Sequence, residues 1–382
     1  MPSSILHPRR TDASRRSRTK AEAKRRRPPS SHILVTGGAG FIGSHLVERL
    51  LAEGKTVVVI DDLSTGSLEN LRTVKSHPRL RVVQSRISAC RELPKLAANA
   101  EFIFHLAATV GVELVVKSAL SVLESSFHET QVLLRAAAAR RTPLLLTSTS
   151  EVYGKSQKPA FGEDDDLLIG PPGQSRWSYA CSKLTDEFLA LAYAREKSLP
   201  VIIARLFNTV GPRQTGRYGM VLPRFIAAAK KSQPLKVFGD GAQTRCFCHV
   251  GDAVEALVRL QKSGCDALVA GGKGDASSPS VFRATRASRP PVFGEIFNVG
   301  GTEEISILEL ARLVVKTLGS KSKIELVPYA KAYAPSPKGF SITGAPGFND
   351  MRRRKPMVKK LERFVKFRPR TPLREIIRLT AG

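Results

Sequence analysis

Ile33-Leu34-Val35-Thr36-Gly37-Gly38-Ala39-Gly40-Phe41-Ile42-Gly43-Ser44-His45-Leu46 is a short apolar run that ends in a turn with glycine at Gly37, Gly40 and Gly43. An amphipathic segment, Leu46-Val47-Glu48-Arg49-Leu50-Leu51, follows directly. The pattern reads as a strand feeding a helix whose N-terminus can hold a pyrophosphate, because unpaired amides and the helix dipole both favour an anion there. Gly37 permits the tight turn, Gly40 lets backbone amides approach the phosphates, and Gly43 lets helix and strand pack closely. Three spaced glycines alone are a weak signal. Here a strand and a helix flank them, as a dinucleotide site requires. A second strand, Thr56–Ile60, ends at Asp61, whose carboxylate is placed to accept hydrogen bonds from the adenosine ribose hydroxyls. An acid at that point favours NAD and repels the 2′-phosphate of NADP.

Working outward, apolar strand-like runs alternate with helical stretches, the pattern of a parallel sheet covered on both faces. Strands are expected at His32–Thr36, Thr56–Ile60, Arg81–Gln84, Phe102–Leu106, Leu144–Ser148, Val201–Phe207 and Glu295–Val299. The fold class is α/β, a doubly wound parallel Rossmann sheet with a smaller, discontinuous α/β C-terminal substrate domain. The expected division is a basic disordered arm at 1–31 and an NAD-binding domain at 32–207, to which 236–262 and 295–299 return. Residues 208–235 and 300–382 form the substrate-binding domain, and 271–292 and 334–347, rich in Gly and Pro, are flexible loops.

Composition narrows the class. At 382 residues with 42% hydrophobic residues, the chain has ample length for a core. No apolar run has the length of a membrane span and no signal-peptide core follows the N-terminus, so no membrane partner is expected. The five cysteines form no disulfide framework, which suits a reducing cytoplasm. Cys246-Phe247-Cys248-His249 reads as strand filling and not as a zinc site, because one intervening residue points the two thiols oppositely and no second pair exists. No metal is expected. The arm carries ten Arg or Lys against Asp12 and Glu22, with almost nothing apolar between Pro8 and Pro29. It reads as a solvated extension. Most of the +28 formal charge lies on the rest of the chain and suits an anionic small substrate.

Chemistry enters at Leu144–Gly154, a buried strand opening into Thr147-Ser148-Thr149-Ser150-Glu151, and at Trp177-Ser178-Tyr179-Ala180-Cys181-Ser182-Lys183. On a helix Tyr179 and Lys183 are four apart and share one face. An ammonium near a phenol favours phenolate, bringing it closer to use as a general base. Tyr and Lys at this spacing also occur by chance as a surface pair. Their order after a nucleotide fold and a Thr-Ser-Glu strand end is what makes the pair informative.

With these pieces assembled, the chain resembles the extended short-chain dehydrogenase/reductases of the NAD-dependent nucleotide-sugar epimerase/dehydratase family. The matching motifs run from residue 32 to about 375. They include Gly-Gly-Ala-Gly-Phe-Ile-Gly at 37–43, Asp61–Gly66, His105–Ala108, Thr147–Gly154, Tyr179 with Lys183, Arg205–Arg213 and Phe238–Arg245. The resemblance implies that Tyr179 removes the sugar 4-hydroxyl proton while NAD accepts hydride from C4. Lys183 would hold the nicotinamide ribose and lower the tyrosine pKa, and Thr149, with Ser150, would orient the 4-oxygen. Phe41, Ile42, Leu63, Ser64, Thr65, Gly66, Ile87, Leu106, Ala107 and Ala108 would join Gly37, Gly40, Gly43 and Asp61 around the cofactor. Asn208, Arg213 and Arg245 would grip the substrate diphosphate and nucleoside. Arg353, within the Arg352-Arg353-Arg354 run, would add a phosphate contact. A homodimer built through the helices flanking Tyr179 is also implied.

Glu151 bears on the reaction. UDP-glucuronate decarboxylases carry Thr-Ser-Glu and an Arg-Arg-Lys-Pro tail, as here, so decarboxylation of a UDP-linked sugar acid leads. A UDP-glucose-type 4-epimerase and a nucleotide-sugar 4,6-dehydratase follow. A rival class is a non-catalytic NAD-binding protein that uses its basic arm on nucleic acid; the intact Tyr179, Lys183 and Thr149 argue against it. Three departures stand out. Ser85-Arg86-Ile87 replaces the family's Gly-Asp-Ile, Ser126 stands where the family has a helix asparagine, and the long loop at 271–292 lacks a counterpart in typical members.

Overall fold

A computed structural model describes residues 31–108, 119–174, 177–216, 220–271, 292–328 and 351–382. The basic arm up to residue 30, nearly all of 271–292 and the whole of 334–347 lie outside the described residues. The chain runs through β1 (His32–Thr36), α1 (Phe41–Ala52), β2 (Val57–Asp61), β3 (Leu80–Gln84), α2 (Leu93–Ala98) and β4 (Ala100–His105). It continues as α3 (Ala119–Ala138), β5 (Leu144–Thr149), α4 (Trp177–Lys197), β6 (Val201–Leu206) and β7 (Thr209–Val210). Next come α5 (Val221–Lys230), β8 (Leu235–Phe238), β9 (Thr244–Cys246), β10 (Cys248–His249), α6 (Val250–Gly271) and β11 (Ile296–Val299). The last elements are β12 (Glu304–Ser306), α7 (Ile307–Leu318), β13 (Ile324–Val327), α8 (Lys359–Val365) and α9 (Leu373–Ala381).

A 7-stranded parallel sheet has the order β11-β6-β5-β4-β1-β2-β3. Alternate residues of each strand serve opposite faces, so both faces need apolar side chains. Ile33, Val35, Val57 and Val59 pack with α1, α6 and α8, whereas Leu34, Val58 and Ile60 pack with α2, α3 and α4. The chain builds outward from β1 to β3, then returns to lay β4 on the other side of β1 and builds outward again. Strand order reverses between β1 and β4, and their carboxyl ends open onto a crevice.

The smaller part holds three strand pairs, β8 with β13, β9 with β12 and β7 with β10, around a core of α5, α7 and α9 that includes Phe225, Leu310 and Ile376. Ser306 and Glu309 form a reciprocal cap at the start of α7, and Gly319, at φ 60°, ends it. One boundary moves. The stretch expected to return to the NAD-binding domain from 236 joins the core on its α1 face from Cys248 and Val250 onward; β8 pairs with β13 instead. Among the described residues no helix is long and apolar enough to cross a membrane, and no group of three or more His, Cys, Asp or Glu could hold a metal ion.

Candidate active site

The crevice between the two parts is a cavity of about 710 Å³. Gly37, Gly40, Phe41, Ile42 and Gly43 line one end. Gly40 is the N-cap of α1 and supplies no side-chain cap, so the first amides of the helix remain for a ligand. Gly37 adopts φ +72°, and a Cβ there would lie 2.6 Å from the Ala107 amide nitrogen, so the turn is drawn tight against the end of β4. Uncapped amides with a glycine turn beside them fit a pyrophosphate. Thr65, Leu106 and Ala108 continue the lining, together with Ser67 and Asn70, which the motifs did not single out.

Other expected cofactor residues sit behind that wall. Asp61 is 8% exposed, and its two carboxylate oxygens accept from the amides of Ala39 (2.8 Å) and Leu63 (2.9 Å). Burial raises its pKa, and those two amides pull it back. Asp61 therefore braces the glycine turn against the next loop. Gly66 packs beside it, and Leu63 and Ala107 lean into the two apolar faces of the sheet. Ser64 is exposed, its amide donating to Asp62. Ile87 is buried in the core with α2, away from the cavity lining, and Arg86 points outward to Asp62 at 3.6 Å.

The middle of the cavity is a shelf. Strand β5 ends at Thr149, whose Oγ1 accepts from the Glu151 amide at 3.3 Å and starts a short 3₁₀ turn, Ser150–Tyr153. Below it, Tyr153 donates to Asn298 (2.8 Å) and accepts from Arg205 (3.0 Å), and Arg205 grips the Glu187 carboxylate. Those buried polar groups have one another as partners, which fixes the shelf. Thr149, Ser150, Glu151, Tyr179 and Lys183 all line the cavity above it. The Tyr179 hydroxyl is pushed above its ordinary range, first by burial and then by the Glu151 carboxylate. A hydrogen bond with Thr149 and the Arg354 guanidinium oppose that rise, whereas Asp186 adds to it. Lys183 was expected to lower the phenol; burial is instead the largest influence on it, and Lys183 itself is paired with Asp186 at 3.1 Å.

Glu151 meets Arg354, both largely buried. The C-terminal run reaches the cavity as extended chain. Thr244 donates its amide to the Arg352 carbonyl, Phe161 to that of Lys355, and Met357 to that of Phe161, each at 2.8 Å. Side chains alternate along an extended segment. Arg353 (2.6 Å) and Lys355 (3.5 Å) both turn to Glu304, and Arg354 between them faces the cavity. Arg353, expected to add a phosphate contact, is turned to Glu304 and does not line the cavity, whereas its neighbour Arg354 does.

Asn208, Arg213 and Arg245 line the far end. Asn208 donates to the Cys246 carbonyl at 2.8 Å, and Arg245 donates to the Met351 carbonyl at 2.8 Å, anchoring the start of the C-terminal run. Arg213 is engaged differently from the phosphate grip expected of it. Its guanidinium reaches back to α1, to Glu48 at 2.7 Å and Ser44 at 3.1 Å, and His45 contacts the Pro212 carbonyl at 3.1 Å. Arg224, Lys236, Phe238 and Gln243 complete a basic and aromatic end suited to a nucleoside and its phosphates. Phe238 and Gln243 lie within the matched Phe238–Arg245 motif, which is the signal that could have found them.

The sequence model described as the NAD dependent epimerase/dehydratase family matches residues 33–268. The chain is 37% identical to a UDP-N-acetyl-alpha-D-glucosaminuronate decarboxylase of Bacillus cytotoxicus, over 88% of this chain and 92% of that protein. It is 32% identical to UDP-glucuronic acid decarboxylase 2 of Arabidopsis thaliana, over 90% of this chain and 66% of that longer protein. Among solved structures it superposes with TM-score 0.73 on a UDP-glucuronic acid 4-epimerase from Bacillus cereus, in complex with UDP-glucuronic acid and NAD. That match is 27% identical and covers 91% of this chain and 97% of the other.

Proposed function

The chain belongs to the NAD dependent epimerase/dehydratase family, and from that premise we propose that it decarboxylates a UDP-linked sugar acid through a transient 4-ketone. The observation that carries this reading is Glu151 held against Arg354 on the cavity wall that also bears Tyr179. Gly40 to Gly43 at the start of α1 would hold the cofactor's pyrophosphate, and NAD, when bound, would supply the acceptor for the C4 hydride and the source of its return once carbon dioxide has left. Tyr179 takes the proton from the 4-hydroxyl, and Thr149 orients that oxygen. The resulting ketone is β to the sugar carboxylate. Loss of carbon dioxide breaks the C5–C6 bond and leaves the electron pair as an enolate through O4. Arg354 offsets the charge of the leaving carboxylate, and Glu151 is placed to manage the proton returned to C5. The basic far end, with Arg224, Lys236 and Arg245, suits the nucleoside diphosphate.

The test is incubation with a panel of UDP-, GDP- and dTDP-sugars that includes UDP-glucuronate and its N-acetylamino counterpart. Release of carbon dioxide and a product shortened by one carbon, read by mass and NMR, is expected. Inversion at C4 with unchanged mass would assign a 4-epimerase, and a 4-keto-6-deoxy product a dehydratase. Glu151→Gln is expected to lower carbon dioxide release by about 10²-fold or more while 4-keto sugar still forms. Unchanged release in that variant would return Glu151 to a structural role.

We also propose a homodimer through α3 and α4. Leu120, Leu123 and Phe127 on α3 and Phe188 on α4 are exposed large apolar residues, with the first three at spacings that share one helix face. Leu123→Asp with Phe188→Asp is expected to convert a dimer to a monomer by light scattering. An unchanged mass would remove these helices as the interface.

A further inference from the structure

Lys183 and Asp186 lie one turn apart on α4, and both are almost wholly buried, with side chains 3% and 0% exposed. The ammonium donates to Asp186 Oδ2 at 3.1 Å. The same oxygen accepts from Ser126 Oγ of the neighbouring α3 at 3.0 Å. The other oxygen, Oδ1, is buried with no hydrogen-bond partner among the described residues. A carboxylate in such a setting depends on its cation, and the cation in turn is fixed by it. Glu187, the next residue, is turned to Arg205 and Ser148 and takes no part.

We propose that Asp186 is a positioning residue for Lys183: it anchors the ammonium against α3 and cancels part of the positive field that the ammonium projects onto the Tyr179 hydroxyl. The proposal rests on the reading of Tyr179 as the base. Lys183 and Tyr179 line the same cavity, so the ammonium is the natural source of positive field there. Among the described residues, the charged groups set around the phenol fall into two pairs. On α4, Lys183 is met by Asp186; Glu151 from the shelf is met by Arg354 from the C-terminal run. Strand β4 contributes His105, its ring between the Thr36 hydroxyl (2.7 Å) and the Thr130 hydroxyl (3.1 Å). Burial, with the Lys183 ammonium nearby, lowers its pKa to about 3, so it adds no charge at neutral pH. Within these two pairs each cation is opposed by an anion. Tyr179 accordingly keeps its proton more firmly than a Tyr and Lys pair alone would allow, consistent with its upward displacement, chiefly by burial and then by Glu151, with a smaller contribution from Asp186.

The test reads ionisation directly. Full-length, NAD-saturated protein is labelled uniformly with 3-fluorotyrosine, and the Tyr179 fluorine signal is assigned by its loss in Tyr179→Phe. In Asp186→Asn, which keeps an oxygen acceptor and removes the charge, the Tyr179 midpoint is expected about one pH unit below that of the unsubstituted chain. Ser126→Ala keeps both charges and removes a donor from the carboxylate, so the midpoint is expected to rise. An unmoved midpoint in Asp186→Asn, or no ionisation in either protein, overturns the proposal. Should Asp186→Asn fail to fold, Ser126→Ala decides alone, and a midpoint that does not rise overturns it. A merely structural Asp186 would change thermal stability without these opposite shifts. Turnover surviving in Tyr179→Phe would instead sink the base assignment. Loss of turnover there with an unmoved midpoint in Asp186→Asn fails this inference only.

Discussion

Tyr179→Phe is expected to lower turnover by roughly 10²–10⁴-fold, the usual contribution of a positioned general base, with cofactor content near that of the unsubstituted protein. The substitution removes one oxygen from the shelf and nothing from the glycine turn. Thr149 loses its hydroxyl neighbour, but its Oγ1 still accepts from the Glu151 amide, so the 3₁₀ turn below stays in place. Lys183 keeps its pair with Asp186. The separation between lost chemistry and retained binding is the informative part. It is measured by product formation alongside NAD released on denaturation. Near-normal turnover would remove Tyr179 as the base, and loss of both together would point to collapse of the site.

Gly43→Ala is expected to have the other large effect, on the fold and the cofactor end together. A Cβ at Gly43 would lie 2.1 Å from the Gly37 carbonyl oxygen and 2.8 Å from the Gly38 Cα. Both are backbone atoms of the turn that joins β1 to α1, so no side chain can swing aside to make room. Overpacking commonly costs about 1–3 kcal/mol where side chains can adjust; here the turn itself must open, and a cost at or above the top of that range is expected. Opening it displaces the amides that face the cavity. The thermal midpoint should fall, and NAD affinity should drop by about 10²-fold or more. Gly173→Ala is the control, because a Cβ there would meet nothing within 4 Å. Equal behaviour of the two variants would refute the packing argument.

Much of the architecture was legible because it rests on periodicity. The apolar runs at β1 and β2 are buried along their whole length, so they carry the unbroken Val, Ile and Leu signal of a strand covered on both faces. The glycine spacing and the four-residue step from Tyr179 to Lys183 are likewise local. What escaped reading depends on partners, near or far in the chain, that no motif names. Asp61 was placed against a ribose, and its carboxylate also accepts from the Ala39 and Leu63 amides, a bracing role the motif did not reveal. Arg213 was given a diphosphate, but Glu48 and Ser44, more than 160 residues earlier, hold its guanidinium. Lys183 was credited with activating the phenol without regard to Asp186, one turn on. A residue type announces which charge it brings. Only the fold says where that charge is spent.

The alternation between Met351 and Met357 carries one more implication. Four consecutive cations, Arg352 to Lys355, make the segment look redundant, as if any of them could do for any other. Its geometry is a comb in which Arg353 and Lys355 turn to Glu304 and Arg354, between them, turns to Glu151. Deleting a single residue just ahead of Arg352 would leave the total charge intact and still send a cation toward Glu151. It would also leave Glu304 facing Arg354 and the uncharged Pro356 in place of Arg353 and Lys355. Phase, more than charge, is what that stretch encodes.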